Sequence, residues 1–334
     1  MAQPTPTPTP SPTPSPTPSP TPSPTPTGPE APLTGARVED PAVIDRPAVL
    51  VKIENTAAAR PQSGLDDADV VFEELVEGGV TRFLAVFHSA TPEAVGPIRS
   101  GRLVDVGLGP PFNGLFVFSG ARDEVLAALR RTGMPLQGED GSTLYRNRSR
   151  SAPHNLYADG EALFDAAMAI DRLEPPEVPW EFRHDAPPGG HPAEQVDIVM
   201  SRVATTGWQF DDAIGVYRRS QNGTPFTVAG DGVVGAANVI VLGVNVGLGG
   251  CCDTSGSRYV SVQTEGEGRA LIARDGRLYE ARWTKPNAAD DYRFTTPDGA
   301  PFPLKPGPSW IHLAPVENLP AAVPAASPSP SGSP

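Results

Sequence analysis

Gly114-Leu-Phe-Val-Phe-Ser-Gly-Ala-Arg-Asp-Glu-Val-Leu-Ala-Ala-Leu-Arg-Arg131 decides the fold class. The apolar run Gly114 to Phe118 predicts a short buried strand, Ser119-Gly120 a turn, and Asp123 to Arg131 a helix that stops at Gly133. Strand, glycine turn and helix in succession mark an α/β protein rather than an all-β one. Upstream, Ala48-Val-Leu-Val-Lys-Ile53 predicts a buried strand that breaks into polar sequence at Glu54-Asn55. Asp69 to Val76 and Val80 to Phe87, divided by Gly78-Gly79, predict an antiparallel hairpin, and Ser100 to Leu108 a helix.

Downstream, Glu161 to Ile170 predicts a helix capped by Asp159. Residues 171 to 193 are rich in Pro, Gly and charge, which marks a connection. Beyond it, Val196 to Val203, Gly215 to Arg219, Val239 to Val246, Tyr259 to Thr264, Ala270 to Arg274, Arg277 to Trp283 and Trp310 to Leu313 predict short strands. Asp275-Gly276 makes a hairpin turn between two of them. The expected architecture is a mixed, layered α/β sandwich with a β-rich C-terminal part. Its expected units are a disordered Pro/Thr/Ser stalk (1–32), an α/β domain (33–175), a linker (176–195), a β-rich domain (196–316) and a disordered tail (317–334).

Pro contributes 42 of the 334 residues, and from Pro4 to Pro29 it alternates with Thr or Ser. Such a segment cannot build a core and predicts an extended stalk rising ~3.1 Å per residue. The net charge of −13 repels phosphate backbones, so nucleic acid is not an expected partner. A few clustered arginines can still outweigh that diffuse field at contact distance, which leaves a small anionic ligand open. No run reaches the ~20 apolar residues of a membrane span. The start Met1-Ala2-Gln3 reads as that of a mature secreted chain, or of one from which a signal peptide and lipid-bearing Cys have been removed. Cys251 and Cys252 are adjacent and read as two thiols or a strained vicinal disulfide. Neither zinc spacing nor a cofactor loop is present, and no metal or cofactor is expected.

The polar residues that could carry chemistry gather in three places. Glu73 and Glu77, four apart, are expected to share a face and are candidates for a general base, or else ion-pair partners of the strand residue Arg82. In Gly96-Pro-Ile-Arg-Ser-Gly-Arg102, the residues Arg99, Ser100 and Arg102 are expected at a helix N-terminus, where exposed amides and guanidinium forks favour an anion; Ser100 would be the N-cap. The loop Ser149 to Tyr157 carries Arg150, His154 and Asn155, with His154 a candidate acid or base, or a metal ligand alongside Glu73 and Glu77.

At these residues the chain resembles the YerB-like family of bacterial lipoproteins, whose domains are of unknown function. The matching stretches are Ala59-Arg-Pro-Gln-Ser-Gly-Leu65, Ala68-Asp-Val-Val-Phe-Glu73, Val76-Glu-Gly-Gly-Val-Thr-Arg82, Gly96-Pro-Ile-Arg-Ser-Gly-Arg102 and Ala152-Pro-His-Asn-Leu-Tyr157. The resemblance implies a mixed α/β sandwich, an N-terminal lipidated Cys and residence outside the plasma membrane. The sequence departs from that pattern in lacking the lipidation Cys, at Gly101 and at Cys251-Cys252. No reaction comes with the resemblance. The expected function is therefore an exported envelope protein that binds an anionic or sugar-containing ligand through Arg82, Arg99, Ser100, Arg102, His154 and Asn155. The alternatives are an envelope hydrolase or transferase using a Glu/His pair with arginine stabilisation, and a scaffold for other envelope proteins in which the cluster is an ion-pair network.

Overall fold

The structure, a computed structural model, describes residues 27–139, 143–230, 232–250, 256 and 258–320. Cys251-Cys252, the Pro/Thr/Ser repeat up to residue 26 and the tail from 321 lie outside the described residues. Packing begins inside the segment read as stalk, since Ala31 and Leu33 are buried and Ala31 N donates to Ala36 O at 2.8 Å.

The strands Val49–Glu54, Val70–Leu75 and Thr81–Phe87 form where the apolar runs place them, and the last two pair antiparallel. All three are buried along their whole length, which requires a sheet covered on both faces. Strand alternation sorts their side chains into two cores. Val49, Val51, Ile53, Val71 and Phe83 enter one; Leu50, Phe72, Leu84 and Val86 enter the other.

These strands are the middle of an 11-stranded sheet. On one side Val49–Glu54 pairs parallel with Leu115–Val117, which pairs parallel with Leu136–Gln137. On the other side Val70–Leu75 pairs parallel with Ser309–Pro315, which pairs parallel with Asn238–Val244. The hairpin Gly266–Arg274 and Arg277–Lys285 continues the sheet antiparallel, with Asp275 and Gly276 both at positive φ in its turn. One sheet thus takes strands from both sides of the 176–195 connection. That connection is itself packed, with Trp180 buried and its Nε1 donating to Tyr292 O at 2.8 Å.

One face of the sheet is covered by the helix Asp123–Arg131 and by Trp283, Tyr292 and Phe294. The other is covered by the helix Gly160–Met168 and by a five-stranded sheet built on Gln195–Val199, Thr205–Asp211 and Val216–Gln221. Asp159 caps Gly160–Met168 by accepting from Ala162 N, as its position predicts. Strand nevertheless accounts for 39% of the chain against 15% helix, so the fold is β-rich with mixed sheets rather than a clear α/β layering. The strand, turn and helix of Gly114 to Arg131 are present, but helices of nine residues are too few to make a layer.

One local expectation fails, and one strand was not expected. The helix expected over Ser100 to Leu108 is reduced to the single turn Asp105–Leu108, because residues 98 to 101 run as an extended strap. The strap is held by Arg99 N donating to Lys52 O, Ser119 N to Arg99 O and Gly101 N to Gly120 O, at 2.8 to 3.0 Å. The strand Thr205–Asp211 has no apolar run to announce it; Trp208 is its one large residue that is fully buried.

Candidate functional site

Because Val49–Glu54, Val70–Leu75, Leu115–Val117 and Ser309–Pro315 all point the same way, their carboxyl ends share one edge of the sheet. The crevice outside such ends is where sheets with parallel strands commonly take ligands. The strap crosses this edge and carries Arg99, Ser100 and Arg102 onto it. They do not sit at a helix N-terminus, since the helical turn starts at Asp105 and its N-cap position is Val104; Ser100 caps nothing.

Glu54 ends the first strand with a side chain only 2% exposed. Its carboxylate accepts from His154 Nδ1 at 2.8 Å and Thr56 Oγ1 at 2.7 Å, and Arg99 Nε lies 3.6 Å away. His154 and Arg99 stay partly exposed at 27% and 22%, so the carboxylate holds two polar groups that reach solvent. Arg99 Nη1 also donates to Pro153 O at 3.2 Å, tying the strap to the His154 loop. Ser100 Oγ lies 3.4 Å from Ser119 Oγ. Ser100 O accepts from Arg82 at 2.8 Å and from Arg102 at 3.3 Å, which brings those two guanidiniums to one carbonyl.

Glu77 lies beyond the strand in a short turn and grips Arg102 with both oxygens, at 2.8 to 3.0 Å. No carboxylate comes within ion-pair distance, 4.0 Å, of Arg82 among the described residues. Burial lowers the Arg82 guanidinium to about 10, with Arg102 and Arg99 adding to the effect, so it is still a cation at neutral pH. Beneath it Lys52, Glu74 and Asp105 are fully buried. The Lys52 ammonium contacts Glu74 and lies 2.6 Å from Asp105, whose other oxygen accepts from Arg102 N at 2.7 Å. One ammonium cannot compensate two buried carboxylates. Burial, with Asp105 adding to it against Lys52, pushes Glu74 up to about 8.

Glu73 does not belong to this site. Strand alternation turns it to the opposite face, away from its neighbour Glu74 and from Glu77, so the shared face expected for Glu73 and Glu77 is absent. The irregular turn at Val76 breaks the period between them. Fully buried, Glu73 accepts from Thr81 Oγ1 at 2.7 Å and from Thr206 Oγ1 and Arg219 Nη2, each at 3.0 Å; His312 Nδ1 lies 3.0 Å away. Trp208 Nε1 donates to His312 Nε2 at 3.1 Å, which assigns the imidazole proton to Nδ1, facing Glu73. Burial pushes the Glu73 carboxyl up, but Arg219, His312 and Thr81 outweigh it and hold it well below the usual carboxylate range. Burial lowers His312, against the pull of Glu73.

The remaining expected residues divide. His154 is in the site. Asn155 is turned to Arg146, whose Nη1 donates to its Oδ1 at 2.9 Å. Arg150 is a clamp that donates to the carbonyls of Ala59, Arg60 and Pro61. Glu73, Glu77 and His154 share no site, which removes them as joint metal ligands. Among the described residues no three His, Cys, Asp or Glu side chains are grouped to hold a metal. Sequence reasoning passed over Lys52 and Glu54, although their signal is visible: they are polar alternate positions in the apolar run Val49–Glu54. Arg219 and His312 had no signal, because their partner lies more than a hundred residues away.

The model of the N-terminal domain of a protein of unknown function, DUF3048, matches residues 33–171, and the model of its C-terminal domain matches residues 196–311. A curated relative, "Putative lipoprotein YerB" of Bacillus subtilis, is 32% identical over 297 residues, 86% of each chain. The chain belongs to the DUF3048 family. A crystal structure of the YerB protein from Bacillus subtilis aligns with a TM-score of 0.75 at 30% identity, covering 86% of this chain and 98% of that one. The DUF3048 N-terminal match holds the strap, Glu54, the arginines and His154, while the C-terminal match contributes Arg219 and Thr206 to the buried network around Glu73.

Proposed function

We propose that this chain is an extracytoplasmic envelope protein that binds an anionic or sugar-bearing ligand at the carboxyl edge of its central sheet. The name of its relative, a putative lipoprotein, supports the location. The observation that carries the binding reading is a local excess of cation. Arg82, Arg99 and Arg102 face two carboxylates, Glu54 and Glu77, and none lies within 4.0 Å of Arg82 among the described residues. In a chain of net charge −13 such an excess supports recognition of an anion. Arg99 presents its guanidinium to solvent and is the residue to test. With inorganic phosphate titrated into the full chain and followed by phosphorus NMR, Arg99→Ala is expected to weaken binding roughly 10-fold or more, the value of one charge-assisted hydrogen bond. No binding by the parent chain, or equal binding by the variant, would overturn the reading.

The Glu54–His154 contact favours a second reading, a hydrolase or transferase. With Nδ1 held by the carboxylate, His154 keeps Nε2 for proton transfer, and the arginines would stabilise a developing negative charge. In this reading Glu54, not Glu73 or Glu77, is the acidic partner. Mass spectrometry of a cell-envelope digest incubated with the parent chain and with His154→Ala separates the two: a component altered by the parent chain alone supports an enzyme.

A further inference from the structure

At the same edge of the sheet, beyond Leu75, lies an apolar groove of about 590 Å³. Its walls are the end of one central strand, Leu75 and Val76, and the hairpin formed by Val246–Leu248 and Val260–Val262. A Cβ added at Gly107 would meet Thr264 Oγ1, so the chain just past the hairpin packs on the turn that follows Arg102. Arg122 stacks 3.9 Å over Tyr259, closing the hairpin against the turn after Ser119. Glu77, which grips Arg102, stands between the groove-lining residues Val76 and Gly78. Glu77 thus joins Arg102 to the strand end that walls the groove. Leu248 projects into solvent at 63% exposure, and the exposed Arg258 stands at the rim.

We propose that the ligand is a phosphate-headed lipid, its head on Arg82, Arg99 and Arg102 and its hydrocarbon chain in the groove of Leu75, Val76, Val246, Leu248 and Val260. The inference rests on the anion-binding reading and adds the class of ligand. Charge complementarity places the head. The apolar wall places the chain, and a volume within the roughly 300–1,000 Å³ of small-molecule sites suits a single chain. A protein partner fits less well, since ten residues line the groove and a stable protein interface engages roughly 20–30 on each side.

The test compares methyl phosphate with monomeric dodecyl phosphate on the full chain, with dodecyl maltoside as an uncharged control. Each methylene taken out of water multiplies affinity by roughly 4, so three to four buried methylenes predict a gain on the order of 100-fold for dodecyl over methyl phosphate. Leu248→Ser, at an exposed position that does not support the core, is expected to cut that gain several-fold and leave methyl phosphate unchanged. Arg99→Ala is expected to weaken both phosphates. Equal affinity for the two phosphates would overturn the lipid proposal while the anion reading stood. Binding of neither would overturn both. Dodecyl maltoside binding as tightly as dodecyl phosphate, and unaffected by Arg99→Ala, would show a chain site unconnected with the arginines and would also overturn the proposal.

Discussion

Glu73→Gln is expected to unlatch the central sheet from the five-stranded sheet packed on it. Among the described residues the wild-type carboxylate is the one anion within ion-pair distance of Arg219, whose guanidinium is fully buried and lies 4.2 Å over Phe226 and 5.1 Å from Phe83 and Trp310. Without the charge, Arg219 keeps aromatic faces and the neutral oxygens of Thr206 and Gln221, at 3.1 and 2.8 Å. Removing one partner of a buried pair costs about 3–5 kcal/mol. Glutamine still offers an acceptor, which places the expected loss near the lower figure, about 3 kcal/mol. For a chain of this size that corresponds to a fall in Tm of about 5–10 °C, read by the fluorescence of Trp208 and Trp310, which flank the network at 5.3 Å from each other. Replacing both partners, Glu73→Met with Arg219→Met, is expected to recover most of the loss, because no charge is then left unpaired. The pH dependence has a definite sign. With its folded pKa depressed, Glu73 contributes stability that is present above its ordinary value of 4.5 and is lost as pH falls further. Glu73→Gln should therefore flatten the acid limb of a Tm series. A Tm within about 2 °C of wild type at pH 7 would refute this reasoning.

Three further outcomes are expected. Glu74 has the opposite sign: with a folded pKa of about 8 against an ordinary 4.5, the native state holds a proton that the unfolded chain has released, so stability falls as pH rises through that window. Glu74→Gln should gain Tm relative to wild type between pH 5 and 8, and parallel curves would count against it. Glu77→Gln releases Arg102 from its two-oxygen grip and should tighten phosphate binding by roughly 3- to 10-fold, measured in the same NMR titration; an unchanged Kd would show that Arg102 takes no part. Gly276→Ala places a Cβ at φ +67 and 3.0 Å from Phe210 and should cost about 1–2 kcal/mol in denaturant unfolding, whereas no loss would mean that the hairpin turn relaxes freely.

The central hairpin, the first strand, the helix Asp123–Arg131 and the capped helix after Asp159 were legible because each is fixed by a local pattern: an apolar run, a glycine turn or a capping side chain. What was not legible depends on partners distant in sequence. Ser100 to Val104 has helical spacing, yet hydrogen bonds to Lys52, Ser119 and Gly120 draw the strap out straight, and no local propensity competes with three strand-end partners. The β-rich balance comes from Thr205–Asp211 and from two-residue strands such as Ala94–Val95 and Leu136–Gln137, which are too short to leave a pattern. Within the site, the arginines and His154 were readable by type. Glu54 stands out as a polar alternate position in an apolar strand, but its role is not readable until the His154 loop, a hundred residues on, is laid over it.

The doublet Glu73-Glu74 shows why residue type alone cannot assign roles here. Both carboxyls are fully buried in one strand, one bond of the pleat apart, and burial alone would raise both. Alternation sends Glu73 to the face where Arg219, Thr81 and His312 meet it, and there it is an anion and a latch. It sends Glu74 to the face where Lys52 is already shared with Asp105, and there burial raises its pKa beneath the arginines. A register slip of one residue would bring Phe72 to Arg219 or Leu75 to Lys52, leaving Arg219 unpaired in the core or Lys52 with Asp105 alone. The pairing of Glu74 with Arg82 across the hairpin sets the register and so gives each buried carboxyl its own partners.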